Sequence, residues 1–152
     1  MKSDSRLSAI LHTVLHMAEA GRAMTSAELA RHMNTNPVVV RRAMAGLRRA
    51  GLVRSEKGRG GGWEIAADLS QVSLRQIHDA IGAPPLLAAG IRLEHPACLV
   101  EQAVNNALQP AFAEAEALLV ERLSAVTLAE LAADFKGRAA SHRAQHKDWF
   151  NV

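Results

Sequence analysis

Residues 36–66 read NPVVVRRAMAGLRRAGLVRSEKGRGGGWEIA, and this stretch decides the fold. Asn36 followed by Pro37 predicts a helix start, because asparagine caps a helix and proline lacks only a donor that the first turn leaves unused. Apolar residues then recur at i, i+3, i+4 and i+7, which predicts an amphipathic helix to Ala50 with Gly51 as its C-cap. They are Val40, Ala43, Met44 and Leu47.

The second half of the stretch predicts a hairpin. Two short strands are expected near 52–55 and 63–66, joined through the glycine-rich segment 56–62. The run GRGGGW is not a nucleotide loop, because Trp63 stands where GxGxxG needs its third glycine and no Lys-Ser/Thr follows. A helix followed by a basic hairpin is typical of a winged helix-turn-helix. Its helix enters the major groove of DNA while the hairpin, called the wing, contacts the backbone or the minor groove.

The preceding residues supply the rest of that motif. An apolar stripe predicts a first helix over residues 4–20, and the capping box Thr25-Ser26-Ala27-Glu28 opens a second helix through about Met33. A short turn at 34–35 then leads into the arginine-rich helix.

The residues that follow the hairpin predict two further helices. A capping box opens a helix over 73–81, and residues 83–96 have the character of a loop. A long alanine-rich amphipathic helix is expected over 96–126, and Pro110 inside it is expected to bend or break it.

A last capping box at Thr127 predicts a short helix that ends at Phe135. The fold class is therefore mainly α, a winged helix-turn-helix with a two-stranded β wing and a long C-terminal dimerisation helix. The expected organisation is a DNA-binding domain at 1–82, a loop and dimerisation helices at 83–136, and a flexible tail at 137–152.

Composition narrows the class of protein. The chain has 152 residues, of which 49 % are hydrophobic, yet it holds no apolar run long enough to cross a bilayer and no evident secretion signal. A single cysteine excludes an intramolecular disulfide and the multi-cysteine zinc modules. No catalytic motif stands out, and five aromatic residues are too few for an aromatic-lined cofactor pocket. We expect a cytoplasmic protein that is not an enzyme and carries no cofactor.

The charge is divided unevenly along the chain. Residues 1–66 hold 11 Lys/Arg and 5 Asp/Glu, a net charge of +6, whereas residues 67–152 hold 7 and 10, a net charge of −3. A basic front half favours a phosphate-bearing partner, here double-stranded DNA. The predicted DNA contacts lie on the second helix, the arginine-rich helix and the wing. They are Thr25, Ser26, Asn36, Val38, Val39, Arg41, Arg42, Arg48, Arg49, Lys57 and Arg59.

The segment LRRAGLVRSEKGRGGGWEIA resembles the wing signature of the Rrf-two family of bacterial winged-helix regulators, the IscR- and NsrR-like proteins. LSAILHTVLHMAEAG is similar to the family's first helix, and residues 98–131 are similar to its long dimerisation helix. The resemblance implies a homodimer that binds a partly palindromic operator and represses transcription. It also implies that Asn36, Val38, Arg41 and Arg42 face bases, while Lys57 and Arg59 line the minor groove.

The chain departs from the family at the cysteines. Cluster-binding members carry three cysteines just before the long helix, and here Cys98 holds the last position while Leu86 and Arg92 stand at the other two. The resemblance therefore does not extend to the usual iron–sulfur cluster. An unusual cluster would have to recruit Cys98 together with groups such as His12, His95 or Glu101. Cys98 is otherwise a structural residue or a redox sensor.

Two histidine pairs have the i, i+4 spacing that can clip a metal on a helix, His12/His16 and His142/His146. Neither pair has an obvious third ligand nearby in the sequence, so no metal site is predicted.

The apolar stripe of the long helix extends further than a small winged domain can cover, which favours self-association. The sequence thus predicts a homodimeric repressor. The alternatives are a redox- or metal-responsive regulator acting through Cys98, and a winged-helix protein-interaction module. An unknown small-molecule effector near residues 83–96 stays open.

Overall fold

The computed structural model describes residues 6–58, 61–87 and 98–145 of the chain. Helices dominate these residues, and one two-stranded antiparallel sheet accompanies them. The elements are α1 (Arg6–Ala20), α2 (Ser26–His32), α3 (Pro37–Arg49), β1 (Val53–Glu56), β2 (Gly62–Ile65), a 3-10 turn (Leu69–Gln71), α4 (Leu74–Ala80), α5 (Leu99–Ser124) and α6 (Leu128–Gln145). The predicted fold class, a mainly helical winged helix-turn-helix with a long C-terminal helix, is confirmed.

The predicted helix starts are present. The hydroxyl of Thr25 and the carboxylate of Glu28 form a reciprocal capping box at α2, and the side chain of Asn36 accepts hydrogen bonds from the first turn of α3. Gly51 follows α3 with a φ of +74°, the left-handed value expected of a glycine after a helix end. Local capping therefore sets the helix-turn-helix.

The two strands differ from the predicted positions by one residue. β1 begins at Val53 because the amide of Leu52 still donates to the carbonyl of Leu47 at the end of α3, at 2.9 Å. β2 begins at Gly62, which pairs with Glu56. The hairpin otherwise has the expected antiparallel register, with Val53 opposite Ile65.

The core joins the wing to the helices. Trp63 of β2 is 9 % exposed, and its backbone exchanges hydrogen bonds of 2.9 and 2.8 Å with Met24, just before α2. A Cβ added at Gly62 would overlap the backbone of Met24, so this close approach requires glycine. The largest fully buried side chains come from α1 to α4 and α6. They are Ile10, Leu29, Met44, Leu47, Ile77, Leu128, Val14, Val40 and Thr13.

The C-terminal helices behave differently from each other. None of the residues of α5 is buried, and the helix is continuous through Pro110, so the expected break does not occur. The start of α6 returns to the core, because Leu128 is 2 % exposed and its amide donates to the carbonyl of Val72 at 2.8 Å.

The predicted end of the last helix at Phe135 is wrong. α6 continues to Gln145, since the residues after Phe135 lack an apolar period but include good helix formers, and Arg138 pairs with Asp134 one turn earlier at 2.8 Å. The helix thus covers part of the segment predicted to be a flexible tail. The proposed domain boundaries stay a prediction.

In the described part of the chain, no helix combines the length and the apolar character needed to span a membrane.

Candidate nucleic-acid interface

The solvent-facing side of α3 carries the predicted contacts in two rows. Arg41 and Arg48, seven residues apart, form one row, and Arg42 and Arg49 form the next, because two helical turns bring a side chain back to nearly the same direction. Val38 lies between the two rows at the N-terminal end of the helix, and its side chain is 51 % exposed. Guanidinium groups and a valine are a suitable set for guanine edges, phosphates and thymine methyl groups.

A groove on one side of α3 brings four of the predicted residues together. This wing groove, of about 380 Å³, lies between the start of α2, α3 and the hairpin. Thr25 and Ser26 line it from α2, Arg41 from α3, and Lys57 from the hairpin. The opposite side of α3 borders a second groove, formed with α1 and α4, which Val39, Arg42 and Arg49 line. The predicted contacts are therefore divided between two sides of one helix.

Several of these cations have no partner within the part of the chain that the structure describes. Among the described residues, none is in hydrogen-bonding or ion-pairing distance of Arg41, Arg42, Arg49 or Lys57. Other arginines are paired with carboxylates, for example Arg22 with Glu28 and Arg54 with Glu64, at 2.9 and 2.8 Å. Unpaired cations on a convex helix and beside a groove are available to phosphates.

Arg48 differs from its neighbours on α3. Its Nη1 donates to the hydroxyl of Ser55 in β1 at 3.2 Å, and its guanidinium carbon lies 6.0 Å from the centre of the Trp63 ring. These contacts connect α3 to the hairpin. Arg48 is therefore a positioning residue for the wing as well as a surface charge.

The three predicted polar DNA contacts, Thr25, Ser26 and Asn36, already form hydrogen bonds within the protein. Thr25 donates to the Glu28 carboxylate and accepts from the Glu28 amide, so its hydroxyl is committed to the capping box. The hydroxyl of Ser26 accepts from the indole nitrogen of Trp63 at 3.0 Å and keeps its own proton for a further acceptor. Oδ1 of Asn36 accepts from two backbone amides, which leaves only its amide nitrogen to contact a base.

The electrostatics of the capping box favour the charged form of Glu28. The backbone amide of Thr25, followed by the side chains of Arg22 and Thr25, lowers the pKa of this carboxyl to about 2. Glu28 is thus ionised throughout the physiological range and fixes the start of α2 at the wing groove.

The structure describes the predicted wing except for residues 59 and 60. Gly58 has a φ of +100° near the tip of the hairpin, a value that favours glycine. The predicted contact Arg59 falls outside the described residues.

The described residues around Cys98 do not fit the family's usual iron–sulfur ligand set. Cys98 is exposed and directly precedes α5, and it is the single cysteine of the chain. Leu86, at one of the family's cysteine positions, packs against the core, whereas Arg92 and His95 fall outside the described residues. Within residues 6–58, 61–87 and 98–145, no three His, Cys, Asp or Glu side chains are arranged to hold a metal. One thiolate and an apolar side chain do not supply the usual ligand set.

The structure places a third histidine beside the first sequence pair. His12 and His16 have their Nε2 atoms 2.8 Å apart, and the ring of His32 from α2 stacks on His16 with ring centres 4.3 Å apart. Sequence spacing could not reveal His32, because this contact is between two helices. Of the second pair, His142 lies in α6 and His146 falls outside the described residues.

Burial lowers the pKa of His16, and the neighbouring His32 and His12 lower it further, against a smaller opposing effect of Glu19. The neutral form of the His16 imidazole is therefore favoured at the contact between α1 and α2.

Comparison with known proteins agrees with this geometry. Residues 3–134 match the family model described as "Rrf2: Iron-dependent Transcriptional regulator". The chain is 28 % identical over 128 residues to YwnA of Bacillus subtilis (strain 168), which is provisionally named an HTH-type transcriptional regulator. That alignment covers 84 % of this chain and 95 % of YwnA.

Two solved structures have a similar fold. A crystal structure from Lactobacillus plantarum, provisionally assigned to a transcriptional regulator, superimposes with a TM-score of 0.68 at 20 % identity and covers 95 % of this chain and 98 % of its own. CymR of B. subtilis, described as the global cysteine regulator, gives a TM-score of 0.59 at 20 % identity, with coverage of 88 % and 98 %. At this level of identity the likeness concerns the fold.

Proposed function

The chain belongs to the Rrf2 family of transcriptional regulators, and we propose that it acts as a homodimeric, sequence-specific repressor at a partly palindromic operator. The observation that carries the proposal is a set of cations on α3 and the hairpin that have no partner among the described residues. They are Arg41, Arg42, Arg49 and Lys57. A DNA partner also implies a cytoplasmic location.

The proposed contacts follow from the position of each side chain. Arg41 and Arg42 lie in the N-terminal half of α3 beside the exposed Val38, and they contact base edges in the major groove. Arg49 and Lys57 lie at the two flanks and contact phosphates or the adjacent minor groove. Arg48 orients the hairpin through Ser55, and its place on the exposed face of α3 also allows it to contact a phosphate.

Self-association is supported by α5. This helix has 26 residues, about 39 Å at 1.5 Å per residue, and none of them is fully buried within its own chain, although Leu123 near its end packs against the core. Leu99, Val100 and Val104 are 77, 72 and 50 % exposed, and Leu108 and Leu118 continue the apolar surface. An apolar surface of this length is stabilised by a second copy of the helix. Two-fold symmetry then places two α3 helices about one DNA turn apart, on the order of 34 Å.

Iron is not part of the proposal, although the family model is described as iron-dependent. The chain has one cysteine, and the partly buried Leu86 packs against the core where a ligand would be needed. Cys98→Ser is expected to leave operator affinity unchanged under reducing conditions. Iron or colour in the anaerobically purified protein would contradict this part of the proposal.

Operator selection from random duplex DNA tests the function. The enriched sequence is expected to be partly palindromic, and the affinity for it is expected to fall by about 0.9 log unit per phosphate contact for each log unit of salt. A protein-interaction module with a basic surface would enrich no sequence. A monomer at micromolar concentration in sedimentation analysis would contradict the dimer.

A further inference from the structure

A groove of about 590 Å³ lies between α1, α3 and α4, on the side of α3 that faces away from the hairpin. Its inner surface is apolar and is formed by Ile10, Met33, Ala43, Ala80 and Ile81. The proposed DNA contacts do not require a cavity here. The groove is large enough for a small organic molecule.

Two glycines shape this groove. Gly46 is buried in α3, and a Cβ added there would overlap the carbonyl oxygen of Ala80, so α3 and the last turn of α4 meet backbone to backbone. Gly82 follows the end of α4 with a φ of +92°, a value that favours glycine, and it also lines the groove. The shape of the groove therefore depends on the close packing of α3 against α4 and on the glycine after α4.

The charge at the mouth of the groove is positive. Arg42 and Arg49 line it from α3, and neither forms a hydrogen bond or ion pair with the described residues. Arg6 lines it from α1. Asp79 is the one carboxylate among the described lining residues, and it lies 3.5 Å from the guanidinium of Arg75. An apolar floor beneath two unpaired guanidinium groups is complementary to an amphipathic anion.

We propose that this groove is an effector site that takes an amphipathic organic anion, a carboxylate or sulfonate with an aliphatic or aromatic body. The body lies on Ile10, Met33 and Ile81, and the anionic group pairs with Arg42 and Arg49. This inference rests on the proposed function, because the same two arginines are proposed DNA contacts. An anion that occupies them competes with DNA, and by linkage DNA weakens the binding of the anion equally.

The test uses 8-anilino-1-naphthalenesulfonate as the probe and the full-length protein without DNA. Arg49→Ala and Arg42→Ala each remove one anion partner and are expected to weaken probe binding about tenfold, the effect of losing one charge-assisted hydrogen bond. Arg41→Ala removes the same charge from the other side of α3 and is the matched control, expected to change binding less than about twofold. Val39→Trp places a bulky side chain at the groove and is expected to abolish probe binding.

The proposed effector site would be overturned if the three arginine variants bound the probe with equal affinity. It would also be overturned if the wild-type protein did not bind the probe. Addition of selected operator at low salt is expected to displace the probe. Simultaneous binding of probe and operator would overturn the competition. Failure of the proposed function is distinguishable, because it appears as absent operator binding in samples that contain no probe.

Discussion

The indole nitrogen of Trp63 in β2 donates a 3.0 Å hydrogen bond to the hydroxyl of Ser26 in the first turn of α2. The two residues are 37 positions apart, and both line the wing groove. Together with the backbone pair between Trp63 and Met24, this bond fixes the hairpin against the helix-turn-helix. Contacts with the start of α2 therefore help to hold the hairpin in place relative to the helix-turn-helix.

Removing this bond is expected to destabilise the fold and weaken DNA binding together. Ser26→Ala leaves the indole donor of a 9 % exposed tryptophan without its partner, at a cost of about 1–3 kcal/mol in the free energy of unfolding. The double variant Ser26→Ala/Trp63→Phe should lose less free energy of unfolding than the two single variants lose in sum, because the same bond can be lost only once. Urea unfolding measures all four proteins. Additive single and double effects would show that the bond contributes no stability.

The Arg41 side chain is expected to carry sequence discrimination. Arg41→Ala should reduce the preference for selected operator over random DNA by about 1–3 kcal/mol, because a guanidinium that reads a base edge is lost. The measurement is competition binding at fixed salt. Arg138→Ala is the matched control, since it removes one positive charge from α6, where Arg138 pairs with Asp134.

An equal loss of affinity of the Arg41 variant for operator and random DNA would show that Arg41 contacts phosphates alone. A comparable loss of preference in the Arg138 variant would show that net charge, and not position on α3, controls the preference.

Local signals were sufficient for much of this fold. The capping residues Thr25, Asn36 and Ser73 and the left-handed Gly51 act within a few residues of one another, so their sequence patterns identify helix ends directly. β1 begins one residue later than predicted because the amide of Leu52 belongs to the helix end. β2 begins one residue earlier than predicted, at Gly62, which pairs with Glu56.

The contacts that sequence could not reveal are tertiary. His32 reaches His16 from another helix, and Trp63 reaches Ser26 across the domain, so no spacing rule predicts either pair. The division of the α3 arginines between two grooves depends on where α4 and the hairpin pack, which the helical period alone does not specify. The extension of α6 to Gln145 depends on helix propensity without an apolar stripe, the weakest of the sequence signals.

A charge on the exposed stripe of α5 is expected to separate the dimer. Val104→Glu introduces a carboxylate into an apolar surface that self-association would desolvate, so the variant should sediment as a monomer at concentrations where the wild type is a dimer. The monomer should still fold, because none of the residues of α5 is buried within its own chain. Gln109→Glu adds the same charge on the same helix outside the stripe and serves as the control.

If the Val104 and Gln109 variants both remain dimeric, the apolar stripe of α5 is not the dimer interface. Loss of helical circular dichroism in the Val104 variant alone would show that the stripe belongs to the core of one chain.

The stability of the protein is expected to fall as the pH falls below about 6.5, the ordinary pKa of histidine. The folded-state pKa of His16 is lowered by burial, by His32 and by His12, so between that lowered value and 6.5 the unfolded chain binds more protons than the folded one. The contribution of His16 to the free energy of unfolding is therefore fully present above pH 6.5 and is lost progressively below it.

His16→Gln should reduce this pH dependence of stability. His32→Gln should reduce it partly, since it removes one charge that faces His16. Urea midpoints at pH 7.5 and 5.5 measure the effect, at values where Glu28, with a pKa of about 2, stays ionised. Identical pH dependence in the wild type and the His16 variant would show that the imidazole contact between α1 and α2 is not linked to folding.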